Sequence, residues 1–193
     1  GYTGQALLKL LTNHKNIQKV IGFTTSDITD TLYVDQLLKK QPVQLQQFDP
    51  SSTFDLDVLF LAMPHGKSHE LIHGLSNKNP KLKIIDLSAD FRFDDIDIFE
   101  KTYQLKHQSK QVNDQFVYGN CEINTDKIAQ ANYVAVPGCF PTSVILAVYP
   151  IKELVTGLIK VDAKTGVSGA GKTPKESNLF CEVNETVLAY NAG

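Results

Sequence analysis

Cysteine is scarce in this chain: Cys121, Cys139 and Cys181 are the only three in 193 residues. Three scattered cysteines cannot make a disulfide framework, and they lack the Cys-x-x-Cys spacing of a metal site. A reducing, cytoplasmic setting is the simplest reading of that usage. Strong charge of one sign is also lacking. The net charge is −2, and Lys and Arg are spread along the chain. Nothing therefore marks a nucleic-acid or membrane surface, where a basic cluster is expected. No apolar run approaches the length of a bilayer span. Repeats, low-complexity tracts and linkers rich in Gly, Ser or Pro are absent as well. The missing initiator Met at Gly1 weakens any argument from the lack of a signal peptide. What is left is an ordinary globular composition, 42% hydrophobic and 21% charged. It is long enough for a full core in one large domain or one and a half typical ones.

Helix and strand patterns alternate. Residues 4–13 put Ala6, Leu7, Leu10 and Leu11 on one helical stripe. Lys19–Thr24 reads as a short buried strand. Asp57–Ala62 and Lys83–Leu87 are continuous apolar runs of the kind found in strands covered on both faces. A helix is predicted over Ser68–Leu75. Residues 94–130 read as a polar excursion of mixed helix and loop. A strand over Asn132–Val136 leads to a helix opening at Pro141 and ending near Leu154. Leu158–Lys164 alternates apolar and polar residues, the period of a half-exposed strand in a second, more antiparallel sheet. The fold class expected is α/β: a doubly wound Rossmann-type parallel sheet, followed by the start of an α+β substrate or dimerisation domain. Such sheets gather ligands at the carboxyl ends of their strands. Met63–Gly66, Ser88–Arg92 and Pro137–Phe140 all fall there.

The segment Pro137-Gly138-Cys139-Phe140-Pro141-Thr142 is the most informative. Proline suits the first turn of a helix, where its missing N–H costs nothing. Cys139 is therefore predicted just outside a helix N-terminus, where amide N–H groups favour a nucleophilic thiolate. The bland alternative is a small buried thiol. Gly1-Tyr2-Thr3-Gly4 precedes a helix and fits half of a dinucleotide loop, or a turn with no ligand. Thr25 and Ser26 offer hydroxyls to a 2′-phosphate, while Asp27 could take a ribose; the balance leans to NADP. Ser168-Gly169-Ala170-Gly171-Lys172 is a second Gly-rich loop, either a phosphate cradle or a flexible turn. Arg92 fits a clamp on phosphate or carboxylate, or a surface ion pair. His65 and His69, four apart, could share a helix face. No third ligand accompanies them, so no metal is expected.

Together these segments resemble N-acetyl-γ-glutamyl-phosphate reductases. Gly1–Gly4 matches the end of the family's Gly-x-x-Gly-Tyr-Thr-Gly loop. Ala62–Gly66 matches Ala-Leu-Pro-His-Gly, and Asp86–Arg92 matches Asp-Leu-Ser-Ala-Asp-Phe-Arg. Pro137–Thr142 matches Pro-Gly-Cys-Tyr-Pro-Thr, Ser168–Lys172 matches Ser-Gly-Ala-Gly-Arg/Lys, and Asn184-Glu185 with Ala189-Tyr190-Asn191 matches the stretch before the family's active-site histidine. The chain departs from the family at Tyr118-Gly119-Asn120-Cys121-Glu122, where Tyr-Gly-Leu-Pro-Glu is usual, and at Asp27, where an arginine is common.

The resemblance implies an NADP-binding domain over 1–138 and the beginning of a catalytic and dimerisation domain over 139–193. It implies a first strand and a catalytic histidine beyond the two ends, hence a chain inactive alone. It implies a cytoplasmic homo-oligomer of arginine biosynthesis acting on a small molecule, with no nucleic-acid or membrane partner. Cys139 would be the nucleophile. Gly1, Tyr2, Thr3, Gly4, Thr25, Ser26, Pro64, His65, Gly66, Ser168 and Gly169 would hold the cofactor, and Ser88, Arg92 and Lys172 the substrate. Competing readings are an aspartate-semialdehyde dehydrogenase (its motif has Asn where Gly138 stands), a non-enzymatic nucleotide-binding module, and a structural domain with vestigial sites.

Overall fold

A computed structural model of the chain describes residues 1–24, 31–32, 43–53, 55–75 and 79–189. It divides into two units, Gly1–Gln47 with Asp162–Gly193, and Phe48–Val161.

In the first unit, α1 spans Tyr2–Asn13. Strands β1 (Gly22–Thr24), β2 (Thr31–Leu32) and β3 (Val43–Gln47) form a sheet of order β1-β3-β2. β1 runs parallel to β3 and β2 antiparallel to it. The half-covered side of α1 carries Leu7, Leu8 and Leu11, whereas Ala6 and Leu10 are exposed. The expected stripe is thus rotated. Leucines at 7, 8, 10 and 11 allow two overlapping stripes, and the 4-7-8-11 spacing is the one covered. Two 3-10 turns, Val167–Ala170 and Glu176–Asn178, and the short α7 (Phe180–Val183) complete this unit.

The second unit is built on four strands: β4 (Val58–Leu61), β5 (Lys83–Asp86), β6 (Phe116–Tyr118) and β7 (Tyr133–Ala135). Their order is β4-β5-β7-β6, and all three pairings are parallel. Leu61, Asp86, Ala135 and Tyr118 lie across from one another in register. All four strands therefore end at one edge. Between the strands run α2 (Ser68–Leu75), α3 (Ile96–Tyr103), α4 (Lys110–Asn113) and α5 (Cys121–Gln130). After β7 comes α6 (Cys139–Val148), then a 3-10 turn over Tyr149–Leu154. Leu59 and Leu61 of β4, Ile84 of β5 and Ala135 of β7 pack with Ile72, Leu75, Leu82, Phe91 and Tyr133 in the core. The alternate positions are less covered; Val58 is 38% exposed. One face of the sheet is thus buried more fully than the other, where continuous burial was expected.

Two further expectations are corrected. The 94–130 excursion contains a strand, β6, three residues long and too short to announce itself by alternation. Leu158–Lys164 forms no strand, and its side chains are exposed throughout. Alternation marks a half-buried strand only where a neighbouring backbone accepts its ladder bonds, and none among the described residues pairs with this segment.

Candidate active site

The loops after β4, β5, β6 and β7 share the edge where the strands end, and the first two are fastened by buried carboxylates. Asp86 closes β5 and is wholly buried. It accepts from the Ser68 hydroxyl (2.8 Å), the Ser88 amide (3.0 Å) and the Ser88 hydroxyl (2.7 Å). Burial pushes its carboxyl up, and these three bonds pull back against that. Ser88 Oγ in turn accepts from the Asp90 amide at 3.1 Å. The Asp90 carboxylate accepts from Gly66 N–H (2.7 Å) and His69 N–H (3.1 Å). It thereby satisfies amides at the start of α2, where helices leave donors unpaired. Gly66 has φ +82°, and a β-carbon there would sit 2.5 Å from Leu105 Cδ1. Only glycine suits that turn.

These bonds decide the fate of the two histidines. His65 Nδ1 accepts from Ala89 N–H at 3.0 Å, and its exposed ring lies beside Tyr103, with centroids 5.3 Å apart. His69 is buried, and its Nδ1 accepts from Gln108 N–H at 3.2 Å. The pair is not a shared ligand set. No group of three or more candidate ligands for a metal occurs among the described residues. His69 stacks instead on His107, with ring centroids 4.8 Å apart. His107 donates from Nε2 to Asp90 O at 2.9 Å and accepts at Nδ1 from Ser109 N–H. Burial and the neighbouring His69 hold its pKa below the ordinary value.

Arg92, the single arginine of the chain, ties the β5 loop to the β7 loop. Its Nε–H donates to Val136 O at 2.7 Å and its Nη2–H to Leu87 O at 2.9 Å. It forms no ion pair among the described residues, and both of these bonds go to backbone carbonyls. Its Nη1 would lie 3.2 Å from a β-carbon on Gly138. Glycine there lets the guanidinium approach the turn that carries Cys139. The Arg92 charge also reaches Tyr118, where it partly offsets the upward push of burial on the phenol.

Cys139 is the first residue of α6, with Gly138 as N-cap, rather than a residue just before it. Thr142 N–H donates back to Gly138 O at 2.9 Å, closing the first turn. The thiol is free and exposed, which removes the buried-thiol alternative.

The Phe48–Val161 unit thus brings together Pro64, His65, Gly66, Ser88, Arg92 and Cys139. Gly1, Tyr2, Thr3, Gly4, Ser168, Gly169 and Lys172 belong to the other unit. There Gly1 is the N-cap of α1 and no side chain caps that helix. With no side-chain cap, the first amides of α1 are left for another acceptor, as the start of a helix that meets an anion requires. Val167–Ala170 forms a 3-10 turn, Gly171 has φ +89°, and Lys172 is exposed. Thr25 and Ser26, with Asp27, lie outside the described residues, as do Tyr190 and Asn191. Ser88, expected at the substrate, is buried with its hydroxyl engaged by Asp86 and Asp90. Sequence reasoning gave no role to Asp86, Asp90, Tyr118 or Asn120. The acidic pair stood inside a quoted motif, which was the available signal for it.

Comparison with known proteins bears directly on this constellation. Residues 1–131 match the model of the semialdehyde dehydrogenase NAD binding domain, and residues 139–193 that of the semialdehyde dehydrogenase dimerisation domain. The chain belongs to the semialdehyde dehydrogenase family. An N-acetyl-gamma-glutamyl-phosphate reductase of Lachnospira eligens is 39% identical over 204 residues, covering 100% of this chain and 57% of that protein. The enzyme of the same name from Campylobacter jejuni strain RM1221 is 40% identical over 195 residues, covering 99% and 56%. That of Ehrlichia canis is 37% identical over 196 residues, covering 98% and 56%. The chain therefore spans a little over half the length of these relatives. A family with an NAD-binding domain uses a nicotinamide cofactor, and no helix among the described residues is long and apolar enough to cross a membrane.

Proposed function

We propose that residues 1–193 form part of an N-acetyl-γ-glutamyl-phosphate reductase. It converts N-acetyl-γ-glutamyl phosphate to N-acetylglutamate semialdehyde, with NADPH as reductant, in arginine biosynthesis. The observation that carries this reading is the exposed Cys139 thiol at the start of α6, on the turn against which Arg92 is held by bonds to backbone carbonyls.

Cys139 Sγ attacks the acyl carbon. Amide N–H groups at the start of α6 stabilise the oxyanion. Collapse expels phosphate and leaves a thioester on Cys139. Arg92 carries the positive charge that meets the substrate's phosphate or carboxylate, with Lys172 as a second cation. Ser88 acts through Asp86 and Asp90, holding the loop that presents Arg92. Gly1, Tyr2, Thr3 and Gly4 hold the cofactor pyrophosphate. Thr25 and Ser26 receive the 2′-phosphate that makes it NADP. Pro64, His65 and Gly66, together with Ser168 and Gly169, supply its remaining contacts. A bound nicotinamide cofactor would supply the hydride that brings the thioester carbon to the aldehyde level. Departure of the Cys139 sulfur then releases the semialdehyde and restores the thiolate. The domain boundary falls at 138/139, and the enzyme is a cytoplasmic homo-oligomer; its free, exposed thiols suit a reducing compartment.

The test uses a chain of the relatives' full length that carries this sequence. NADP reduction is followed with N-acetylglutamate semialdehyde and phosphate, beside aspartate semialdehyde. Phosphate-dependent turnover of the acetylated substrate alone is expected. Turnover of aspartate semialdehyde alone would move the assignment to the aspartate-semialdehyde enzyme. NADP binding with no turnover of either would favour a binding module. Cys139→Ser should bring turnover to background, because an alkoxide is far harder to form than a thiolate. Arg92→Ala should cost about 2–5 kcal/mol in use of the acyl phosphate.

A further inference from the structure

Asn120 stands where the resembled family carries leucine, and its side chain is an anomaly. The residue is 2% exposed. Neither its Oδ1 nor its Nδ2 has a hydrogen-bond partner. It occupies the N-cap of α5, with φ −81° and ψ 103°, yet makes no side-chain cap bond. Asparagine at that position ordinarily accepts from an amide two or three residues on. Here the helix start is served by the backbone instead: Ile123 and Asn124 donate to the Asn120 carbonyl. The amide is thus withdrawn from its default local use and left unpaired at a cost in stability. A leucine in its place would leave no polar atom unpaired.

Its place in the fold suggests what it is for. Gly119 N–H donates to Ala135 O at 2.8 Å, so the β6 loop is pinned to the last residue of β7. Four residues after Ala135 comes Cys139. Tyr118, two residues before Asn120, lies within the field of Arg92. Asn120 therefore belongs to the strand-end edge that presents Cys139 and Arg92. Arg92 supplies that edge with charge for an anion. Asn120 supplies an uncharged donor and an uncharged acceptor, both unused. No protein hydrogen bond holds the side chain, so turning it about χ1 toward a ligand breaks none.

We propose that Asn120 is a specificity-determining residue that pairs with an amide group of a bound ligand. This rests on the function proposed above. Two ligands bring an amide to such a site, the acetamido group of the substrate and the carboxamide of the nicotinamide.

Asn120→Leu and Asn120→Ala, in a full-length chain, separate the cases. The wild-type protein is first assayed for phosphate-dependent turnover of N-acetylglutamate semialdehyde, which tests the underlying function by itself. Direct titration of NADP then gives the cofactor dissociation constant, and thermal unfolding gives the midpoint. The expected result for Asn120→Leu is an unchanged or higher unfolding midpoint with about a three- to tenfold weakening of one ligand, the value of one neutral hydrogen bond. A rise confined to KM for the semialdehyde, with kcat within about twofold, assigns the acetamido group. A weaker NADP dissociation constant assigns the carboxamide, and is readable even if the wild type turns over neither substrate. Unchanged constants for both ligands in both variants would overturn the proposal and leave Asn120 as a buried orphan or an internal water site.

Discussion

The stretch from β4 to β7 and the stretch from Cys139 to Leu188 are both well supplied with Leu, Ile and Val, yet they treat them in opposite ways. In the first, Ile72, Leu75, Leu82, Ile84 and Phe99 are all but sealed from solvent. In the second, no described side chain is buried. Leu154, Leu158, Phe180 and Val187 are each at least 75% exposed. Helical turns form in both, because their hydrogen bonds are local. Burial needs a facing surface, and of these two stretches the first supplies one among the described residues, through the parallel sheet and its helices. The hydrophobic gain from the second stretch is unspent. That stretch is also the one matching a dimerisation domain. Cys139 therefore stands on a boundary: its turn follows β7, and its helix opens the stretch whose side chains are exposed or half-buried.

Core truncation should sharpen that contrast most. Phe99→Ala is expected to cost about 3–5 kcal/mol of unfolding free energy, by chemical denaturation, because it empties a site with no slack. A cost below about 1 kcal/mol would mean that the sheet is less consolidated than its burial implies. Asp90→Ala comes next. It strips the acceptor from the Gly66 and His69 amides inside the fold, and two orphaned donors should cost about 2–4 kcal/mol. Loss of NADP binding in this variant, at a temperature where it stays folded, would tie the Gly66 turn to the cofactor.

A smaller effect should appear with pH. His107 is packed against His69 and close to Asp90 and Glu100, and burial, with His69, pushes its pKa down. The unfolded chain takes up a proton near the ordinary value of 6.5, while the fold resists doing so until a lower pH. Stability should therefore fall as the pH drops below that ordinary value, and level off below the folded pKa. Glu100, held by Lys106 at about 2, adds stability that is present above its ordinary 4.5 and lost as pH falls toward 2. Asp86 works in the opposite sense, since its raised pKa means stability declines as pH climbs from 3.8 toward that value. Unfolding midpoints measured from pH 4 to 8 with His107→Gln as control would isolate the histidine; an unaltered slope in that variant would remove it. The least effect is expected from Leu158→Ser, within about 0.5 kcal/mol in the isolated chain. A large loss there would break the comparison by exposing a contact for this residue.

Much of this is legible in the sequence. Ser68–Leu75 is a helix at the residues expected, because its apolar face repeats at 3.6. The three strand-end segments lie at one edge, because parallel strands must end together. Cys139 is the first residue of a helix that the sequence opens at Pro141, a difference ordinary at a helix boundary. What stayed hidden depends on partners far along the chain. Arg92 bonds to Val136, 44 residues away, and Gly66 to Asp90, 24 away; no local pattern encodes either. Leu158–Lys164 failed for the converse reason, since its local pattern is right for a strand and the partner is lacking. Asn120 was noticed only as a departure from a family motif, and its unpaired amide could not be read from composition.

The Arg92 clamp has a consequence for how quickly this edge can meet an anion. Two bonds to backbone carbonyls hold the guanidinium in place before anything arrives. The entropy of arresting a long, flexible cation is therefore settled when the chain folds, and an incoming anion need not surrender that part of its binding energy. A lysine at 92 would restore the charge without the arrest. Such a variant would be expected to greet the same anion as readily at long range and to hold it less well on contact.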